Sequence, residues 1–225
     1  MHYKNKSTRN SVYFLWYNTD RGNDMSKKKI DDGYRRNVFL YIVIRPLLLL
    51  VAKIIFNPKI VGKENIPKKD GCVIACNHIH AIDPAMLIYS SRRIIHFIAK
   101  KELFEGKMKW FYLSFGTIPV DRDKKNPLAM SVAEEFLEND EIVGIFPEGT
   151  RNKERIGLLP FKFGTVKMAS VTKKKIVPCV ITGNYKVFKS DLKIKFGKAI
   201  DISNMSLEEA NEYLRNTMLE MLEEK

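Results

Sequence analysis

Cysteine is scarce in this 225-residue chain, which contains three: Cys72, Cys76 and Cys179. A small, odd number of cysteines argues against a disulfide scaffold and indicates a reducing compartment. A mean hydropathy of -0.23 argues against a membrane transporter. With 45% hydrophobic and 29% charged residues, the composition excludes collagen-like, low-complexity and wholly disordered proteins. These absences leave an ordinary globular protein about one domain in length.

Acidic residues are also in deficit: 26 Asp and Glu stand against 39 Lys and Arg, a formal net charge of +13. Such an excess predicts an anionic partner, which could be nucleic acid, an anionic membrane surface or a phosphorylated small molecule. The charge is uneven along the chain. We interpret residues 1–33 as a basic, disordered arm. Met25 precedes a lysine run and resembles a natural start, so residues 1–24 could be an extension.

One long apolar segment follows the arm. Within residues 38–56 only Arg45, Pro46 and Lys53 are not apolar. A spanning helix needs about 20 apolar residues, and a charge near its centre costs about 3 kcal/mol on insertion scales. Basic residues flank both ends of this segment, so their distribution does not indicate which end would face the cytoplasm. We therefore expect residues 34–58 to form a kinked helix lying in an anionic membrane interface. An ordinary core helix is the alternative.

Residues 59–225 alternate short β-branched runs with helical patterns. This alternation predicts a single α/β domain with a mixed, mostly parallel β-sheet flanked by helices. The expected strands are residues 59–61, 72–76, 94–98, 117–120, 142–146, 176–181 and 192–196. The expected helices are residues 84–89, 107–115, 127–138 and 163–170. A last helix opens with a capping box at Ser206 and Glu209.

The segment between the second strand and the first of these helices contains both a histidine and an aspartate. Asp83 precedes Pro84, which favours Asp83 as the N-cap of the helix, with His78 at the strand end. A carboxylate on one imidazole nitrogen fixes the tautomer and makes the other nitrogen a general base. The alternative is a hydrogen-bonded loop histidine beside a capping aspartate.

The same segment admits a zinc hypothesis, because Cys72, Cys76, His78 and His80 lie close together in the sequence. Their spacing fits poorly with the separated ligand pairs of structural zinc sites. We therefore interpret the cysteines as buried core residues.

Further charged residues follow other predicted strands. Glu148, Gly149 and Arg151 come directly after a buried strand, and Lys162 precedes a helix, where a phosphate group would be stabilised. Arg122 follows a short strand. Each residue alone could be a solvated charge in a turn. Together they place a base and several cations after strands of one sheet, where open α/β sheets bind ligands.

These motifs identify a family. His78 and Asp83 form an H-x4-D motif, and the ordered blocks at residues 77–83, 116–122, 146–151 and 177–183 accompany an element at 161–164. In this combination and order, the chain resembles the glycerolipid acyltransferase family. The resemblance runs from about residue 36 to the late strands, and neither the N-terminal arm nor the last helix carries a family motif.

The resemblance implies an O-acyltransferase in which His78 deprotonates the free hydroxyl of lysophosphatidate and Asp83 orients His78. The hydroxyl would attack an acyl thioester of acyl carrier protein or coenzyme A directly, without a metal or bound cofactor. The resemblance implies acceptor binding by Arg122, Glu148, Gly149, Thr150, Arg151 and Lys162.

The same resemblance implies a peripheral or monotopic protein at the cytoplasmic face of the cell membrane, with an anionic membrane surface and no nucleic acid as partner. Two alternatives stay open. One is the same chemistry on glycerol 3-phosphate or another lysophospholipid. The other is a basic nucleic-acid-binding or membrane-binding module without catalysis.

Overall fold

The computed structural model of the chain describes residues 43, 45–106, 109, 112, 116–120, 127–188 and 191–224. The predicted arm at residues 1–33 lies outside these ranges. So do most of the predicted helix at 107–115 and residue Arg122.

The described residues contain one seven-stranded sheet in the order β1-β7-β6-β2-β5-β3-β4. Within it, β6 and β7 are antiparallel and the other neighbouring strands are parallel, which confirms the predicted mixed, mostly parallel sheet. The strands are β1 (Lys59–Val61), β2 (Cys72–Cys76), β3 (Ile95–Lys100), β4 (Ile118–Val120), β5 (Ile142–Ile145), β6 (Lys175–Thr182) and β7 (Lys193–Phe196).

Helices cover the sheet, and each lies within two residues of its expected position wherever the chain is described. They are α1 (residues 45–56), α2 (Asp83–Ser90), α3 (Pro127–Glu138), α4 (Gly164–Thr172) and α5 (Leu207–Glu223). The capping box of α5 is confirmed. The Ser206 hydroxyl accepts the Glu209 N–H at 3.2 Å, and the Glu209 carboxylate accepts the Ser206 N–H at 2.8 Å.

The central strands are buried on both faces. In β2, Val73 and Ala75 pack into one apolar cluster, whereas Cys72, Ile74 and Cys76 pack into the other. This split follows from the alternation of side chains along a strand. The predicted burial of the cysteines is therefore confirmed, and Cys179 is buried as well. A parallel strand enclosed on both faces explains the continuous apolar run in its sequence.

Helix α1 contacts the domain along one side and exposes the other. Arg45 donates a hydrogen bond to the Ser91 carbonyl, Ala52 is buried, and Phe56 packs against the core. Six apolar side chains of this segment are exposed: Val43, Leu47, Leu48, Leu50, Val51 and Ile54. Among the described residues, no helix combines the length and apolarity needed to cross a bilayer.

Candidate active site

Three loops meet at one edge of the sheet. They follow β2, β5 and β6, which lie side by side and run parallel, with Cys76 of β2 opposite Cys179 of β6. Parallel strands present their carboxyl ends at the same edge, where α/β sheets bind ligands. The loop after β2 contains His78 and leads to Asp83 at the start of α2, and the loop after β5 contains the FPEGTR motif.

The structure brings His78 and Asp83 together. His78 Nδ1 lies 2.8 Å from Asp83 Oδ2. Because an ionised carboxylate can only accept, Nδ1 carries the proton in this pair and Nε2 is left as the basic nitrogen. The side chain of Asp83 is fully buried, whereas that of His78 is 16% exposed. The pair therefore combines an enclosed carboxylate with an imidazole that a ligand can reach.

The predicted N-cap role of Asp83 is wrong. Asp83 is the first residue of α2, and Ile82 occupies the cap position without a side-chain hydrogen bond. The carboxylate instead turns back, and Oδ2 accepts the N–H groups of Ile79 at 2.7 Å and His80 at 2.8 Å. These donors converge on one oxygen, while Pro84 removes an N–H from the first turn of the helix. Asp83 therefore folds the loop that holds His78.

The imidazole of His78 is also fixed from one side. Its ring stacks on Phe146, with centroids 4.1 Å apart and an interplanar angle of 21°. The backbone carbonyl of His78 accepts the Asn152 N–H at 2.7 Å. Stacking and the bond to Asp83 restrict both torsions of the side chain, so the basic nitrogen has a defined direction.

Glu148 lies beneath this loop. It is 4% exposed, and its two carboxylate oxygens accept backbone N–H groups, from His78 at 2.9 Å and from Leu159 at 3.0 Å. The sequence placed Glu148 among acceptor-binding residues. Its position here is that of a brace between the loops after β2 and β5.

Asn77 joins the loop to the neighbouring strand. Its side-chain amide donates to the Ile181 carbonyl at 3.0 Å and accepts the Ile181 N–H at 2.7 Å. Because Asn77 is buried and adjoins His78, these two bonds fix the point at which the loop leaves β2.

The other predicted acceptor-binding residues that the structure describes lie in or beside the FPEGTR turn. Gly149 has a φ of +68°, and a Cβ built there would lie 2.7 Å from Lys162 Cε, so the lysine side chain crosses directly over this glycine. Thr150, Arg151 and Lys162 are exposed. The turn thus offers cationic groups to solvent, beside the loop of His78.

Tyr185 is a site residue that the sequence analysis missed. Its hydroxyl donates to Asp83 Oδ1 at 2.6 Å. Burial and the negative charge of Asp83 raise the pKa of Tyr185 well above its ordinary value, so the phenol stays protonated and acts as a donor. The one available signal was its position just after β6, at the same edge of the sheet as the histidine loop.

Cys76 lies near the pair but is not suited to act as a nucleophile. It is fully buried, and burial together with the neighbouring Cys179 thiol raises the pKa of Cys76 well above its ordinary value. A protonated, enclosed thiol is unreactive. In the described part of the chain, no three His, Cys, Asp or Glu side chains are grouped to hold a metal ion. The contact between His78 and Asp83 can supply a general base for a hydroxyl group brought by a substrate.

The chain is similar in sequence to curated acyltransferases. A curated 1-acyl-sn-glycerol-3-phosphate acyltransferase of Bacillus subtilis is 39% identical over 127 residues, covering 56% of this chain and 62% of the relative. The protein of the same name from Borreliella burgdorferi is 31% identical over 146 residues, covering 64% of this chain and 58% of the relative. The chain thus matches less than two thirds of the length of either protein.

A solved structure shares the fold. The crystal structure of the 1-acyl-sn-glycerophosphate acyltransferase of Thermotoga maritima aligns with a TM-score of 0.63 at 21% identity, covering 97% of this chain and 92% of that one. The family described as Acyltransferase matches residues 57–182, which include both His78 and Lys162. Since this match takes in more than half of the chain, including the loops after β2 and β5, the chain belongs to the Acyltransferase family.

Proposed function

We propose that this protein transfers a fatty acyl group from an acyl thioester to the free hydroxyl of lysophosphatidate, giving phosphatidate for phospholipid synthesis. The observation that carries the proposal is the His78 Nδ1 to Asp83 Oδ2 contact of 2.8 Å. Two relatives that bear the name 1-acyl-sn-glycerol-3-phosphate acyltransferase support it further.

In the proposed reaction, His78 Nε2 takes the proton of the acceptor hydroxyl as its oxygen attacks the thioester carbonyl. The tetrahedral intermediate then collapses, the carbon–sulfur bond breaks, and His78 returns the proton to the departing thiolate. Asp83 holds the imidazole in the productive tautomer and stabilises the transient imidazolium. The enclosed state of Cys76 supports direct transfer without an acyl-enzyme.

Cationic side chains would bind the phosphate of the acceptor. Arg151 and Lys162 are exposed on the turn beside the histidine loop, and a guanidinium can bind two phosphate oxygens at once. Arg122 is proposed as a third contact from the sequence. Glu148 would act indirectly, by holding the loop that carries His78.

We further propose that the protein sits on the cytoplasmic face of the cell membrane through helix α1. The exposed apolar side of α1 continues onto Val187 and Phe188, which are 59% and 73% exposed. The two elements are joined because Phe188 N–H donates to the Ile55 carbonyl at 2.9 Å. Apolar side chains beside the exposed Lys53 suit an anionic lipid interface.

The direct test is phosphatidate formation by protein reconstituted with vesicles, from lysophosphatidate and a labelled acyl thioester. The His78→Ala variant should keep its circular dichroism spectrum and vesicle binding but lose activity about 10²- to 10⁴-fold. His80→Ala is the comparison from the same loop, and it should keep far more activity because His80 binds Asp83 through its backbone N–H, which the substitution leaves in place. An active His78→Ala variant would refute the mechanism.

The assay also separates the remaining alternatives. Running it with acyl carrier protein and coenzyme A thioesters identifies the donor. Replacing lysophosphatidate by glycerol 3-phosphate or another lysophospholipid identifies the acceptor. Salt-sensitive binding to nucleic acid, with no transfer to any acceptor, would instead favour a binding module.

A further inference from the structure

The carboxylate of Asp83 has two oxygens, and only Oδ2 is bound to the His78 ring. Oδ2 accepts from the His78 ring and from two backbone N–H groups. In the described part of the chain Oδ1 accepts one hydrogen bond, from the Tyr185 hydroxyl at 2.6 Å. This short bond to a buried charged group is of the strong kind. The orientation of the carboxylate therefore depends on a side chain 102 residues away in the sequence.

The ring of Tyr185 is held between two aromatic side chains. It stacks on His80, with centroids 4.4 Å apart and an interplanar angle of 23°. On another side it meets Phe56 edge to face, with centroids 5.5 Å apart. Because Phe56 is the last residue of α1, the ring of Tyr185 lies between the loop that carries His78 and His80 and the end of this helix.

The loop that carries Tyr185 is fastened on both sides of the ring. Arg155 donates to the Gly183 carbonyl at 3.0 Å and to the Asn184 side chain at 2.9 Å. After the ring, Phe188 N–H is bound to the end of α1. A hydroxyl fixed by this many contacts is preorganised, so it can direct the carboxylate at little further entropic cost.

We propose that Tyr185 is a positioning residue, which fixes the plane of the Asp83 carboxylate and thereby the direction of the His78 imidazole. The inference deepens the proposed function and rests on it. Without the hydroxyl, Oδ1 would be a buried acceptor without a partner, and the carboxylate could rotate away from Nδ1.

The test is Tyr185→Phe, which keeps the ring and its two aromatic contacts and removes only the hydroxyl. We expect kcat to fall about tenfold with KM for lysophosphatidate unchanged, because the loss appears in the transition state alone. Tyr213→Phe, an exposed tyrosine of α5, is the matched control and should behave as wild type.

Two kinetic results would overturn the inference. One is a Tyr185→Phe variant with the kcat of the wild type. The other is a raised KM with an unchanged kcat, which would make Tyr185 a substrate contact rather than a positioning residue.

A second measurement keeps the inference separate from the proposed function. The Nδ1 proton of His78 should give a downfield NMR resonance, which we expect to shift in Tyr185→Phe and to stay in place in Tyr213→Phe. If the wild type transfers no acyl group at all, the proposed function fails, yet this resonance still tests the positioning role. An unshifted resonance in Tyr185→Phe would refute that role.

Discussion

Replacing Glu148 by glutamine should reduce the free energy of unfolding by more than it reduces the free energy of acceptor binding. Each oxygen of the buried carboxylate accepts one backbone N–H, at 2.9 Å from His78 and 3.0 Å from Leu159. Glutamine has nearly the same shape but only one acceptor oxygen. Its NH2 group would therefore face one of the two N–H donors, which would be left buried without a partner.

The magnitude follows from these two bonds. A hydrogen bond to a charged group contributes about 1.5–3 kcal/mol, and an unsatisfied buried donor costs about 1–3 kcal/mol. Since glutamine keeps one of the bonds at neutral strength, we expect the free energy of unfolding to fall by about 3 kcal/mol. For a chain of this length that corresponds to a melting temperature lower by roughly 6–12 °C. Because one of the donors is the backbone of His78, kcat should fall as well.

The assay is thermal unfolding together with kcat and KM for lysophosphatidate. Glu154→Gln is the matched control, because Glu154 is exposed in the same loop and its variant should unfold and react as wild type does. If Glu148→Gln kept the wild-type melting temperature and raised KM, Glu148 would contact the acceptor and the brace would be the wrong interpretation.

Two further predictions concern Gly149 and Cys72. Gly149→Ala should lower the free energy of unfolding by about 1–2 kcal/mol, because φ at this position is +68°. It should also raise KM for lysophosphatidate, because the added methyl group would displace the Lys162 ammonium. An unchanged KM in steady-state kinetics would contradict this prediction. Burial raises the pKa of the Cys72 thiol from 9.0 to about 12. At a pH between these two values the thiol loses its proton in the unfolded chain but keeps it in the native protein, so the free energy of unfolding falls as pH rises. In denaturant titrations from pH 9 to 12, the free energy of unfolding should fall less steeply with pH in Cys72→Ala than in wild type. An equal dependence on pH in the two proteins would rule out the contribution of Cys72.

Local signals in the sequence were sufficient for most of the secondary structure. The β-branched runs predicted β2 and β6 because a strand buried on both faces needs apolar residues at successive positions. The start of α5 was predicted because a capping box is made by Ser206 and Glu209, three residues apart. The H-x4-D spacing likewise indicated the His78–Asp83 pair.

Contacts between distant segments were beyond the sequence. Asp83 looked like an N-cap because of its place before Pro84, but the convergence of two loop N–H groups on its carboxylate decided otherwise. The family resemblance assigned Glu148 to acceptor binding, which stays a prediction, but it gave no sign that the buried carboxylate also accepts the backbone N–H of His78.

By itself, then, the sequence determined the α/β class, because local strand and helix patterns indicate it, and its H-x4-D motif led to His78 as the proposed general base. Only the tertiary structure decided which loops meet. The sheet places β6 next to β2, so Tyr185 reaches the carboxylate of Asp83 from 102 residues away. No periodicity or spacing records a contact of that kind, because it is set by the order of strands in the sheet and not by their order in the chain.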